Sequence, residues 1–356
     1  MELKRIRQKI DEIDLEILEL LEKRMELGLR TKKFKKTVFD PGREASVLEK
    51  LKVRSRLSHL IRVNFVQLLF KEIMKESREL QEKERGLIGF QGEYGAFSEM
   101  AARYYDSRLL TIPFPHFGDI FEGVEKGHVD LGLVPVENTL GGAVNEVNEL
   151  LMDCDLKVVG AIKLRIHHCL LALPGTRLEH IRVVYSHPQA LSQCREYIKR
   201  HKLEVRPYYD TAGAARILAK EKSKTAAIIA HRLCRDLYNL KIVEDNIEDH
   251  ECNYTRFFIL AREEKASDQA NKCSLIFSTP HQAGALFSIL KIFADRGINL
   301  TRIESLPSRN EPGKYAFFLD FEKKDSKDDL ASILEKVKSK TTMFKYLGLY
   351  KEEVYP

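Results

Sequence analysis

The chain has 356 residues, 44% of them hydrophobic and 31% charged, with a net charge of +6. That length exceeds one ordinary core and implies two or three domains. The composition is too apolar for a disordered chain, and no uncharged apolar run reaches membrane-spanning length. The first residues, MELKRIRQKIDEID, contain no apolar leader core, so a cytoplasmic protein is expected. The surplus charge is concentrated: residues 1–85 hold 22 Lys and Arg against 16 Asp and Glu. An anionic partner follows. A small acid suits better than nucleic acid, because the cations alternate with acids along helices and no aromatic residues interleave with them.

Residues 1–85 predict three helices. Ile6, Ile10, Ile13, Ile17, Leu20 and Leu27 form the stripe of a packed helix, on a run free of Gly and Pro. FDPGRE breaks it, with Asp40 as N-cap and Pro41 at the first position of a second helix. A third, from about Ser58 to Glu84, carries Ile61, Phe65, Leu68, Leu69, Ile73 and Met74. Helices so unequal in length do not make a self-contained globule, so the first should need a partner. Arg24 continues its apolar stripe, where a guanidinium is costly unless an acid meets it. Lys35 shares that face about 16 Å further along. Two such cations suit a small dicarboxylate, and a solvated arginine on a frayed seam is the other reading. Arg43 and Glu44 stand in the first turn of the second helix, and Ser77 and Gln81 share a face of the third.

IRQKIDEIDLEILELLEKR, DPGRE and ESRELQ resemble the all-helical chorismate mutases that begin bifunctional enzymes of phenylalanine synthesis. The resemblance implies a ligand set of Arg7, Arg24, Lys35, Asp40, Arg43, Glu44, Ser77 and Gln81. The connection between Lys35 and Asp40 is shorter than the family's. In the implied rearrangement of chorismate to prephenate, Arg7, Arg24 and Arg43 clamp carboxylates. Lys35 and Gln81 donate to the ether oxygen, and Glu44 accepts from the ring hydroxyl. On one continuous helix Arg7 and Lys35 would lie about 42 Å apart. Arg7 is therefore expected to serve a neighbouring subunit's site, in a dimer.

From Gly86 the grammar changes to short apolar runs alternating with helical stretches, an α/β domain or pair of lobes ending near Arg262. GFQGEYGAFSEMAA spaces its glycines G-x-x-G-x-x-G with no acidic ribose partner, a weak dinucleotide signal. Ser98 is expected to cap the helix that follows. LVPVENTLGGAVNE ends a strand in Glu137, Asn138 and Thr139; VVYSHPQALSQC ends another in Ser186, His187 and Gln189. DTAGAA offers Thr211 as a helix cap, and DHECNYTRFFIL brings Thr255 and Arg256 to the start of a buried strand. Each alone reads as an ordinary turn. Four such loops after buried strands suggest a ligand cleft. IHHC at 166–169 does not suggest a metal, since adjacent strand residues point to opposite faces. The six cysteines form no CxxC pair and read mostly as buried thiols.

These stretches resemble the prephenate dehydratases, built of two α/β lobes like periplasmic binding proteins of type II. The family's E-N-T, Y-S-H-P-Q and T-R-F motifs fall on Glu137 to Thr139, Tyr185 to Gln189 and Thr255 to Phe257. The resemblance implies substrate binding by Glu137, Asn138, Thr139, Ser186, His187, Gln189, Thr211, Arg256 and Phe257, with Thr255 donating to the departing hydroxyl. Thr255 and Arg256 are expected to face the cleft, and the role of Glu137 is open between a base toward water and a partner for a cation.

From Cys273 the pattern is βαββαβ, ferredoxin-like. HQAGALFSILKIF and TRIESLPS resemble the ACT domain of phenylalanine-sensitive dehydratases, which pairs across subunits. The implied effector residues are Gly284, Ala285, Leu286, Glu304 and Ser305, with Leu306 where the family has arginine. The whole reads as multidomain: an all-α chorismate mutase domain over 1–85, an α/β two-lobed (periplasmic-binding-protein type II-like) dehydratase domain over 86–266, and an α+β ferredoxin-like ACT domain over 271–356. The implied function takes chorismate through prephenate to phenylpyruvate under phenylalanine feedback, in a homodimer or dimer of dimers. No cofactor, metal, nucleic acid or membrane is expected. An arogenate dehydratase in the middle domain, or a non-catalytic amino-acid sensor fused to a mutase, are the alternative readings.

Overall fold

The computed structural model describes residues 2–265, 268–307, 315–323 and 330–355. The chain forms two compact units, one of residues 1–86 with 127–129 and one of the remainder.

In the first unit, helices α1 (Glu2–Lys32), α2 (Pro41–Ser55) and α3 (Val63–Glu82) pack through the C-terminal part of α1. Asp40 caps α2 as expected: its side chain accepts the Arg43 N–H at 2.9 Å, with Pro41 following. The third helix begins at Val63 rather than near Ser58, because the Ser58 hydroxyl takes the Leu60 and Ile61 N–H groups into a turn instead. Leu29 and Met74 are buried, whereas Ile6, Ile17 and Leu20 on the apolar stripe are 52%, 50% and 65% exposed. Nothing among the described residues covers that stripe.

The second unit holds three sheets. Strands β1 (Leu87–Gln91), β2 (Leu110–Phe114), β3 (Leu131–Asn138), the two-residue β4 (Gly142–Ala143) and β5 (Lys157–Arg165) start the first lobe. Helices α4 (Phe97–Tyr105), α5 (Phe117–Glu125) and α6 (Asn145–Asp153) pack on them. The second lobe is a sheet of β6 (Cys169–Ala172), β7 (Val183–Ser186), β8 (Glu204–Pro207), β9 (Ala226–Ala230) and β10 (Lys241–Glu244), ordered β10-β6-β9-β7-β8. Its helices are α7 (Pro188–Gln193), α8 (Arg195–Arg200), α9 (Thr211–Glu221) and α10 (Cys234–Leu237). The chain then returns as β11 (Tyr254–Ala261) to the middle of the first sheet, antiparallel between β3 and β5. The runs read as buried strands are buried: Phe257, Phe258, Ile259 and Leu260 are at most 2% exposed.

The C-terminal domain has β12 (Lys272–Ser278), α11 (Ala285–Ala294), β13 (Leu300–Pro307), β14 (Tyr315–Glu322), α12 (Leu330–Lys338) and β15 (Met343–Tyr350). Its sheet order β13-β14-β12-β15 is antiparallel throughout, the ferredoxin-like arrangement. One sheet face packs on α11 and α12 through Leu275, Phe277, Ile289 and Phe293. The other face packs on the first lobe. Gly348 makes that approach possible, since a Cβ there would stand 2.2 Å from the Val158 carbonyl oxygen. The last strand, β16 (Glu352–Tyr355), leaves the C-terminal sheet and pairs parallel with β5 in the first lobe. The sequence, read to 356 as one domain, held no sign of this exchange. Ala266 and Ser267, in the REEKASDQANK stretch between β11 and β12, lie outside the described residues, as do Ser308 at the end of TRIESLPS and Asp328 and Asp329 before α12.

Candidate active sites

A pocket of about 360 Å³ opens between the three N-terminal helices. It brings together Arg24, Lys35, Asp40, Arg43, Glu44, Ser77 and Gln81, seven of the eight residues expected there. Arg7 is not among them, because it precedes Arg24 by 17 residues on α1, about 26 Å along the axis. Arg24 is held by burial below its ordinary pKa, an effect that Glu44 partly offsets. Glu44 also pairs with Arg78, a lining residue that the sequence reading missed although it follows Ser77 directly.

Gln81 is 5% exposed. Its Nε2 donates to the Ser77 hydroxyl at 3.0 Å and the Ser77 carbonyl at 2.9 Å, while Oε1 has no partner. In this arrangement it shows the pocket an acceptor, where a donor was expected. Gly28 was also missed. A Cβ there would lie 2.7 Å from the Ser77 Oγ, which accounts for a glycine in a helix interior that otherwise disfavours it by about 1 kcal/mol.

In the second unit, the C-terminal ends of β1, β3 and β5 share one edge of the first sheet with the start of β11. The second lobe presents Asp210 after β8 to the same gap, 3.2 Å from where a Cβ on Gly92 would stand. Glu93 of the loop after β1 accepts from Tyr209 at 2.7 Å, and the Tyr238 hydroxyl donates to the Tyr94 carbonyl at 2.8 Å. Carboxyl ends of strands meeting across a crevice are the usual ligand position in such sheets.

Asn138 is the hub of this edge. Its Nδ2 lies 3.0 Å from Thr255 Oγ1, 2.9 Å from Asn253 Oδ1 and 3.1 Å from the Tyr254 carbonyl. Its Oδ1 accepts from Leu140 and Gly141 and, at 3.4 Å, from Gln193 across the gap. Since Thr255 Oγ1 is already accepting, its own proton points elsewhere, and no acceptor among the described residues takes it. Gln193 was not singled out from the sequence. Gln193 lies one turn past Gln189 and ties Asn138 to His168, whose Nε2 is 2.8 Å away and whose pKa burial lowers.

The remaining expected residues divide. Gln189 lies against Gly141, where a Cβ would be 2.5 Å from its Nε2. His187 caps α7, accepting the Gln189 N–H at 3.2 Å, and burial lowers its pKa against the pull of Asp210. Ser186 is fully buried and donates to the Ile229 carbonyl at 2.5 Å, which welds β7 to β9. Thr139 donates to the Cys252 carbonyl and accepts from Tyr254 N, both at 2.9 Å. Neither cap expectation holds: Ala96 precedes α4 with Ser98 inside the helix, and Asp210 caps α9 with Thr211 after it. Asp210 wins the position because its carboxylate accepts the Gly213 N–H at 2.8 Å. Phe257 is core, packed with Ile88, Leu133 and Ile162, not a lining residue.

Arg256 is the largest departure. Neighbours on a strand face opposite ways, so with Thr255 toward Asn138 the guanidinium points to the other side, into the C-terminal domain. There it pairs with Asp320 and with Glu352 of β16, and donates to the Tyr350 hydroxyl at 2.9 Å. Burial alone would lower its pKa, but Tyr350, Asp320 and Glu352 together raise it well above its ordinary value. Replacing Arg256 with Gln strands the buried Asp320 carboxylate and leaves Glu352 with Lys272 alone, and is expected to destabilise the docking of the C-terminal domain by roughly 3 kcal/mol. Thermal unfolding and limited proteolysis check this, and an unchanged melting curve would contradict it.

Gly284, with φ +81°, and Ala285 and Leu286 line a cavity of about 280 Å³ with His281, Tyr315 and Phe317. Glu304 is not in it: it lies on the sheet face toward the first lobe, bonded by Arg302 at 2.6 Å. Ser305 is exposed and Leu306 is buried.

A helical pocket lined by Arg24, Lys35, Arg43 and Arg78 and a two-lobed cleft backed by a ferredoxin-like domain define a multidomain protein with a site suited to a small acid. Family models match in the same order: chorismate mutase type II over residues 6–82, prephenate dehydratase over 88–265 and the ACT domain over 274–339. The bifunctional chorismate mutase/prephenate dehydratase of Pseudomonas aeruginosa is 31% identical over 99% of this chain and 98% of its own. The prephenate dehydratase of Methanocaldococcus jannaschii is 42% identical over 72% of this chain and 94% of its own. Among solved structures, the prephenate dehydratase of Arthrobacter aurescens in complex with L-Phe superposes with a TM-score of 0.68 at 27% identity, covering 74% of this chain and 89% of its own. The chain belongs to the bifunctional chorismate mutase/prephenate dehydratases of phenylalanine biosynthesis.

Proposed function

We propose that the N-terminal pocket rearranges chorismate through Arg24 and Arg43 as carboxylate clamps, Lys35 as donor to the ether oxygen and Glu44 as acceptor for the ring hydroxyl. The observation that carries this is the convergence of these four side chains, with Asp40, Ser77 and Gln81, on one pocket from three helices and the α1–α2 connection. The reaction transfers no proton, so holding the compact conformer and stabilising charge on the ether oxygen suffice. Substrate turns the Gln81 amide: Nε2 then meets the ether oxygen and Oε1 takes the Ser77 hydroxyl proton. Arg7 reaches this pocket from a second copy of the chain, whose α1 also covers the exposed Ile6–Leu20 stripe. Gly28→Ala is expected to displace Ser77 and Gln81 and lower the mutase rate at least tenfold without lowering the melting temperature. Full mutase activity in that variant would contradict the crowding.

In the cleft, Thr255, oriented by Asn138, donates to the hydroxyl leaving C4 as carbon dioxide departs and the ring becomes aromatic. Phenylalanine binds the Gly284–Leu286 side of the C-terminal domain and inhibits, and the enzyme works in the cytoplasm. No helix among the described residues is long and apolar enough to cross a membrane. The test is one time course from chorismate alone, following prephenate and phenylpyruvate together. Phenylpyruvate should accumulate, and a reaction that stops at prephenate overturns the dehydratase assignment.

A further inference from the structure

Glu137 closes β3 next to Asn138 and stands between two arginines from different domains. Its Oε1 is 3.4 Å from Arg256 Nη1, and its Oε2 is 3.6 Å from Nε of Arg302 on β13. The Arg302 side chain is only 4% exposed. Nη2 serves Glu304 at 2.6 Å and Asn148 at 3.1 Å, but Nε and Nη1 make no hydrogen bond. Idle donors on a buried guanidinium are costly, and the carboxylate nearest Nε is Glu137. Glu137 borders a cavity of about 460 Å³ and is 37% exposed, so it has room to close on either arginine.

The strand register carries any such shift to the reacting group. Glu137 pairs with Arg256 and Asn138 with Thr255 across β3 and β11. Moving the end of β3 moves the amide that donates to Thr255 Oγ1. Glu137 thus sits where a carboxylate links domains, on the opposite strand face from Asn138.

We propose that Arg302, supplied by the C-terminal domain, is a positioning residue for dehydration: it sets Glu137, and through the β3–β11 pair the Asn138–Thr255 hydrogen bond. The inference rests on Thr255 being the donor to substrate. It makes the C-terminal domain a working part of the dehydratase even without effector. Because Arg302 and Glu304 alternate with Ser305 on β13, a ligand that moves this strand changes the same contact.

The experiment uses the full chain, measuring dehydratase kcat and KM, with the mutase rate as the reference for folded protein. Arg302→Gln should lower kcat about tenfold with KM within twofold, and Arg302→Lys should recover most of it. Glu137→Gln should lower kcat similarly without altering the shape of the pH profile, and the double variant should be no worse than either single one. Wild-type kcat in Arg302→Gln, or losses that add and that lysine does not relieve, would overturn the proposal. If Arg302→Gln does not fold, Glu137→Gln decides: unchanged kcat, or loss of the acidic limb of the profile as for a general base, overturns it. A fully active Thr255→Val would instead defeat the reading of the cleft, whatever Arg302 does.

Discussion

Lys35→Ala is expected to lower the chorismate mutase rate by about 10²–10³-fold, the range for removing one donor from developing negative charge in a transition state. Dehydration of added prephenate should be unchanged. Lys35 lies in the connection between α1 and α2, is exposed, and lines the pocket. No carboxylate among the described residues pairs with it, so its charge is available to a ligand, and truncation removes no packing. Arg24 differs: it is partly buried and faces Glu44, so its loss would mix catalysis with stability. Lys35→Ala isolates the electrostatic effect. A variant retaining near wild-type mutase rate would remove the proposed mechanism, and steady-state kinetics on chorismate decide it.

Thr255→Val is expected to lower prephenate dehydratase kcat by about 10²–10³-fold, within the range for loss of a positioned proton donor. KM and the mutase rate should change little. Valine keeps the β-branched shape and removes only the hydroxyl. Asn138 retains Asn253 Oδ1 and the Tyr254 carbonyl as acceptors, so the strand end stays tied. Thr255→Ser, which keeps the oxygen, should recover a large part of the rate. Equal rates for valine and threonine would show that the hydroxyl is not the donor.

The three-part organisation was legible because each part has its own period. A step of three and four marks the bundle, short apolar runs ending in Glu137–Asn138–Thr139 and Tyr254–Thr255 mark the lobes, and βαββαβ marks the last domain. In the bundle, helical spacing put Ser77 and Gln81 on one face, and the resemblance supplied the other pocket residues; Lys35, expected on the face of the first helix, lies beyond its end at Lys32. The glycine at 28 was visible as an exception within a long helix, but its reason lies on α3, 49 residues away.

The cleft was legible only as a set of strand ends. Motif adjacency suggested that Thr255 and Arg256 act together, but the two-residue period of a strand sends them to opposite faces, and only the packed neighbours say what each face meets. One face meets Asn138; the other meets Asp320, Glu352 and Tyr350.

The sequence by itself determined the order of the three parts, because each has its own local periodicity, while the helical ligand set came from resemblance to a family rather than from spacing. Only the tertiary structure decided that β16 crosses into the first lobe, that Glu304 faces that lobe rather than the effector pocket, and that Arg256 and Arg302 bracket Glu137. Those contacts join residues from about 120 to 190 positions apart in sequence, set by which sheet faces bury one another, and no local pattern encodes that choice.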